Sequence, residues 1–209
     1  MPQLGDFVRD FLAMWVVLDP ITAVPVFIAL TAGHDQATRR VIAGASVVVA
    51  MVILAFFICL GQIIITAIGV SLHAFQIAGG LILFLFSVEL VIGQTKPPAT
   101  DDLGGATPLQ LAIYPLGVPT LAGPGAMMTV MLRTDNSHFS IAEQMHTAAA
   151  AVLVLAVTYL LLCGAGLVLR LIGPGGANII KRVMGMILAA YAVTLVLEGL
   201  AAWLHLPPL

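Results

Sequence analysis

Apolar residues along this chain fall into six long runs separated by short polar breaks. The runs cover about residues 7–32, 41–66, 72–93, 108–132, 145–171 and 179–204. Crossing about 30 Å of hydrocarbon at 1.5 Å per residue takes about 20 mainly apolar residues with every backbone group bonded internally, so each run predicts a spanning helix. The breaks are Gly33-His34-Asp35-Gln36 leading to Arg39-Arg40, a turn at Gly69-Val70-Ser71, a linker over 94–107, the stretch Arg133 to His138, and Gly173-Pro174-Gly175-Gly176. Period-two alternation is nowhere sustained, which argues against an outer-membrane barrel. The pattern predicts one all-α transmembrane domain over 1–209, with three helices in 1–93 and three in 108–209.

Composition sharpens this. Of 209 residues, 61% are hydrophobic and only 9% charged, and mean hydropathy is +1.11, against about 25% charged in an ordinary soluble domain. Eight basic and ten acidic side chains leave a formal charge of −2, too little positive charge for a nucleic-acid surface. Cys59 and Cys163 both lie inside apolar runs, where a free thiol behaves as a small hydrophobe. No P-loop and no HxxxH or HExxH spacing occurs, so no metal or other cofactor is expected. The first run carries Asp6, Arg9 and Asp10 near its start, unlike a cleaved signal peptide, and predicts a retained helix. With the N-terminus outside, the inner segments hold Arg39, Arg40, Lys96, Arg170, Lys181 and Arg182 and the outer ones Arg9 and Arg133. That bias predicts both termini outside.

Three helices per half make the second half upside down relative to the first if the halves are related, and short echoes say that they are. Ala78-Gly79-Gly80-Leu81-Ile82-Leu83-Phe84 resembles Val183-Met184-Gly185-Met186-Ile187-Leu188-Ala189, Ile68-Gly69 echoes Ile172-Gly173, and Cys59 stands at a similar separation from Cys163. Pro20 and Pro25 are five apart, as are Pro119 and Pro124. An inverted 3+3 repeat is therefore expected, with helices 1 and 4 discontinuous. Helix 1 holds an acid and two prolines, Asp19-Pro20-Ile21-Thr22-Ala23-Val24-Pro25, and helix 4 holds three prolines and three glycines between Pro115 and Gly125. Proline removes a donor and clashes with the carbonyl four residues back, and Asp19 before Pro20 also reads as an N-cap followed by a first-turn proline.

Interrupted spans in matching positions of two halves point to a midplane solute site. Half-helix N-termini suit a carboxylate, and exposed carbonyls suit an ammonium group or small cation, so a zwitterionic amino acid satisfies both. The candidate site is Asp19, Pro20, Thr22 and Pro25 opposite Pro119, Thr120, Gly123, Pro124 and Gly125. Asp19 either caps its half-helix or handles ligand and proton, because a carboxylate deep in the bilayer is costly unless capped, paired or protonated. Gly79, Gly80 and Gly185 read as close helix packing. Hydroxyls of Thr22, Thr120, Thr129 and Ser87 either line a polar cavity or bond back to their own carbonyls. Glu89 and Glu198 read as interfacial, and Arg39-Arg40 and Lys181-Arg182 as orientation determinants and headgroup contacts.

Four segments resemble the MarC family of bacterial multipass inner-membrane proteins, from about Phe11 to Gly199: Leu18 to Phe27, Ala74 to Gly80, Pro115 to Ala126 and Arg182 to Ala190. The resemblance implies a topology similar to lysine-exporter-like proteins and, from some relatives, transport of small neutral amino acids such as alanine and glycine. Where the family usually reads Asp-Pro-Ile-Gly-Asn-x-Pro, this chain has Thr22-Ala23 in place of Gly-Asn, and Gln76 stands where many relatives carry arginine. The resulting expectation is a secondary transporter, not an enzyme, in the bacterial inner membrane. Its partners are the lipid bilayer and a small solute, with H+ or Na+ as coupling ion, no nucleic acid, and a homo-oligomer left open. An exporter of another metabolite or drug, or a non-transporting scaffold or regulator, is the alternative.

Overall fold

The computed structural model describes residues 2–92, 106–136 and 139–206, and all regular structure among them is helical. Helix α1 is Pro2–Leu18, α2 Pro20–Leu30, α3 Gln36–Ala67, α4 Leu72–Ile92, α5 Pro108–Leu111, α6 Pro124–Arg133, α7 Ile141–Cys163 and α8 Ala165–Trp203. A wide-turned π-type segment, Ala112–Leu121, joins α5 to α6. Five helices are long and apolar enough to cross a bilayer, six if the bent pair Pro108–Leu121 and Pro124–Arg133 is one span. Most of the expected linker, 94–105 with Lys96, lies outside the described residues.

Helix starts follow capping chemistry more closely than the apolar runs do. Helix α3 begins five residues before its run because the Asp35 carboxylate accepts from the Thr38 amide at 3.3 Å, satisfying an otherwise orphaned first-turn donor. Those Thr38 contacts hold the Asp35 carboxyl below the usual carboxylate range. Helix α7 opens on a reciprocal box, Ser140 N donating to Glu143 Oε2 at 2.8 Å and Glu143 N to Ser140 Oγ at 3.4 Å. The fifth apolar run, expected unbroken to 171, ends at Gly164, where α7 stops and α8 starts. Gly173 then interrupts α8 with φ 70°, ψ 165°, and a spanning stretch resumes over Gly175–Trp203.

The core runs between the spans, with Met14, Leu18, Phe27, Ile42, Leu54, Leu116, Met128 and Leu155 among its fully buried side chains. Helix α6 sits inside the bundle, packed on α1, α3, α4 and α7. The periphery is apolar as well: Val52, Leu85, Leu160 and Ile179 are each more than 60% exposed. In water such a surface would aggregate; around a membrane bundle it faces acyl chains. Helices α4 and α8 make the broadest contact, closed by glycines. A Cβ on Gly80 would lie 2.7 Å from Val196 Cγ2 and 3.1 Å from the Ala192 carbonyl, and one on Gly185 2.9 Å from Leu90 Cβ. A Cβ on Gly79 would strike only Met128, at its Sδ, Cγ and Cε, a side chain that can swing away.

This contrast orders three substitutions. Gly80→Ala should destabilise the detergent-solubilised protein by about 1–3 kcal/mol through overpacking against backbone, and Gly79→Ala by less. Gly166→Ala, with nothing within 4 Å, should be neutral or stabilising by about 0.5–1 kcal/mol. Thermal unfolding of the three variants checks the order.

Candidate functional site

At the first interruption, α1 ends at Leu18 and α2 restarts at Pro20, with Asp19 between them in the left-handed region (φ 43°, ψ 63°). Aspartate visits that region more readily than most residues because its short side chain bonds locally; here Oδ1 accepts from the Thr22 amide at 3.4 Å. The backbone ladder is carried past the break, Asp19 N donating to Trp15 O at 3.1 Å and Ala23 N to Asp19 O at 3.3 Å. Proline 20 has no N–H for the Val16 carbonyl, and Pro25, inside α2, none for Ile21. Asp19 is only 6% exposed, Pro20 is buried, and Thr22 and Pro25 are half-buried.

The second interruption is larger. Tyr114 (φ −134°, ψ 128°) and Val118 (φ −131°, ψ 129°) are extended, as residues preceding proline tend to be, and the Tyr114–Pro115 and Val118–Pro119 bonds are cis. Thr120 Oγ1 donates to Pro115 O at 2.8 Å, serving a carbonyl that Pro119 cannot reach. The direction changes by 58° before α6. Gly123 stands at the N-cap of α6 with no side-chain bond to the first turn, and a Cβ there would lie 2.9 Å from the Pro119 carbonyl.

The two interruptions meet inside the bundle, α2 against the 112–121 segment and α1 against α6. A Cβ on Gly125 would fall 2.3 Å from Leu83 Cδ1 and 3.3 Å from Val17 Cγ1, so the start of α6 abuts the end of α1. Asp19, Pro20 and Gly125 are buried on these packed elements, and Thr22, Thr120 and Gly123 are half-buried. Pro119 and Pro124 are exposed and stand at the bend of their segment. The apolar side chains of Leu83 and Val17 stand against Gly125. Ser87 and Thr120 return their hydroxyls to their own backbone, whereas Thr22 Oγ1 and Thr129 Oγ1 are enclosed without a partner. Glu89 and Glu198 are exposed.

Two charged arrangements were not legible in the sequence. Lys181, expected only as an orientation determinant, belongs to α8, which packs on α2, and its charge reaches Asp19 electrostatically. Its place inside the last span, six residues past Gly175, is the signal that could have marked it. At the bundle end where α6 stops and α7 begins, Arg133 is ion-paired to Asp10 Oδ1, and Thr147 Oγ1 donates to Asp10 Oδ2 at 2.8 Å. Gln62 donates to Asp135 beside them and accepts from the Asn136 amide. A cavity of about 150 Å³ opens there, lined by Arg9, Asp10, Arg133, Glu143, His146 and Thr147. Among the described residues no group of three His, Cys, Asp or Glu could hold a metal ion.

The family described as MarC family integral membrane protein matches residues 4–204. A UPF0056 membrane protein of Methanocaldococcus jannaschii is 36% identical over 200 residues, covering 95% of this chain and 97% of that protein. The UPF0056 membrane protein YvbG of Bacillus subtilis is 30% identical, covering 92% and 93%. The UPF0056 inner membrane protein YhgN of Escherichia coli is 26% identical, covering 96% and 99%. No solved structure matches.

Removing Arg133 would strand a largely buried carboxylate, which costs more than the pair itself contributes. Arg133→Met should therefore destabilise the solubilised protein by about 1–3 kcal/mol, and adding Asp10→Asn should recover part of the loss. A double-mutant cycle on thermal unfolding reads the coupling; strictly additive losses would contradict it.

Proposed function

The chain belongs to the MarC family of integral membrane proteins, and from that premise we propose that it is a secondary transporter of a small neutral amino acid such as alanine or glycine. The observation that carries this reading is the meeting of two proline-interrupted helices inside the bundle, one with a buried carboxylate and the other with an uncapped helix start. On this reading Asp19 receives the ammonium end of the solute, and the first amides of α6, at Gly125 and Ala126, receive its carboxylate. Lys181 balances Asp19 when no solute is bound. H+ or Na+ is the coupling ion, and the membrane is a bacterial inner membrane with both termini periplasmic.

An inverted 3+3 repeat with spans 1 and 4 discontinuous underlies the reading, and several features support it. Pro20 and Pro124, each the first residue of its helix, stand 104 positions apart, as do Cys59 and Cys163, and Gly69 and Gly173. Both of those glycines have positive φ. Thr31 and Thr134 close α2 and α6 in the same way, each hydroxyl donating to the carbonyl four residues back at 2.7 Å. Packing partners exchange between halves: α1 on α7 answers the 112–121 segment on α3, and α2 on α7 and α8 answers α6 on α3 and α4. This register pairs Pro20 with Pro124, whereas the equal proline spacing in the sequence pairs Pro20 with Pro119. Three spans in each half then give the halves opposite orientation.

In the form described, Leu83 and Val17 stand against Gly125, so a solute enters only when the two interrupted helices part. That packing also favours a second reading, a membrane scaffold without transport. Counterflow of radiolabelled alanine and glycine in proteoliposomes separates the two. Wild type should exchange label, and Asp19→Ala and Gly123→Leu should cut flux by about tenfold or more, in line with loss of one charge-assisted contact. Lys181→Met should cost more flux in the presence of Asp19 than beside Asp19→Asn. Equal signals from all samples and empty vesicles would leave the scaffold.

A further inference from the structure

We propose that the cavity between the starts of α1 and α7 and the end of α6 is a binding site for one oxyanion group, a carboxylate or a phosphate, held by Arg9, Arg133 and His146. The argument is a count of hydrogen-bonding capacity. Of the four carboxylate oxygens on the cavity wall, three are engaged and Glu143 Oε1 is not. Asp10 accepts from Arg133 on one oxygen and from Thr147, at 2.8 Å, on the other. Glu143 Oε2 accepts from the Ser140 amide at 2.8 Å and the Ser140 hydroxyl at 2.7 Å. The donors are not engaged to the same extent. Arg133 uses Nη1 on Asp10 and presents a five-donor fork, Arg9 stands exposed at the mouth, and His146 Nδ1 is enclosed with no partner.

An enclosed ring nitrogen without a partner carries a desolvation cost that a ligand oxygen removes. His146 is among the residues that line the cavity, and its ring stands edge-on to Phe7, 6.3 Å between centroids. Among the described residues of the wall, two cations and two carboxylates cancel in charge, leaving an oxyanion attracted by oriented N–H groups and opposed chiefly by Glu143. About 150 Å³ admits one such group with its first attached atoms. At the end of the spans the group can belong to a lipid headgroup or to a small soluble anion.

Thermal unfolding of the full-length protein in lipid-free maltoside, titrated with acetate, inorganic phosphate or dihexanoyl phosphatidic acid against sodium chloride of equal ionic strength, tests this. At least one probe should raise the midpoint saturably, by about 3–5 °C at ten times its half-saturating concentration. A shift from phosphatidic acid alone assigns the site to lipid; a shift from acetate or phosphate assigns it to a soluble anion. Arg9→Gln and His146→Phe, which keeps the ring contact, should each raise the half-saturating concentration about fivefold or more. Glu143→Gln keeps the cap of α7, since glutamine also serves that box, and should lower it about threefold by removing the opposing charge. No shift beyond chloride, unchanged binding in Arg9→Gln and His146→Phe, or weaker binding in Glu143→Gln overturns the proposal.

Discussion

A backbone N–H or C=O in hydrocarbon must find its partner inside the protein, and this rule governs the molecule more than any single contact. Eight of the described prolines, Pro2, Pro20, Pro25, Pro108, Pro115, Pro119, Pro124 and Pro174, sit in or at the start of helical segments. Each either withholds a donor or starts a helix where no donor is needed. The chain answers with local substitutes: the Thr120 hydroxyl on the Pro115 carbonyl, Asp19 on the Thr22 amide, and threonine hydroxyls at the ends of α2 and α6. Segments with such irregular bonding pack against other helices, and α3, α4 and α8 present long apolar side chains outward.

Charge obeys the same rule. Asp10 is largely buried yet has a guanidinium and a hydroxyl to itself, and Asp19 has a first-turn amide and the field of Lys181. The Asp10 arrangement joins α1 of the N-terminal half to α6 and α7 of the C-terminal half. Glycines do the complementary task at the α4–α8 contact, where backbone meets backbone and side chains are excluded.

Much of the fold was legible because its signals are local. The apolar runs at 72–93 and 41–66 match α4 and the body of α3, and the prolines around 20 and 119 mark where regular geometry ends. Helix starts at Asp35 and Ser140 were missed by reading hydrophobicity alone, since polar capping turns lie outside the apolar stretch. Gly164 was missed because a single glycine in an apolar run carries no strong stop signal, whereas Gly173 to Gly176 does. Of the candidate residues, Asp19 and Gly125 face inward and Pro119 and Pro124 do not; spacing along a segment that is not a regular helix cannot say which way a side chain points. The Asp10–Arg133 pair spans 123 positions, and no local pattern announces it.

The length of α3 has a mechanical corollary. Its 32 residues measure about 48 Å at 1.5 Å each, well beyond a hydrocarbon layer of about 30 Å. Helices that exceed the layer tilt, kink or thicken the bilayer around them. Because α3 cradles both the 112–121 segment and α6, its inclination and the angle between those two pieces are not independent. A thinner or thicker bilayer therefore pushes on the bend from outside, making lipid length one of the variables that set the geometry of the molecule's interior.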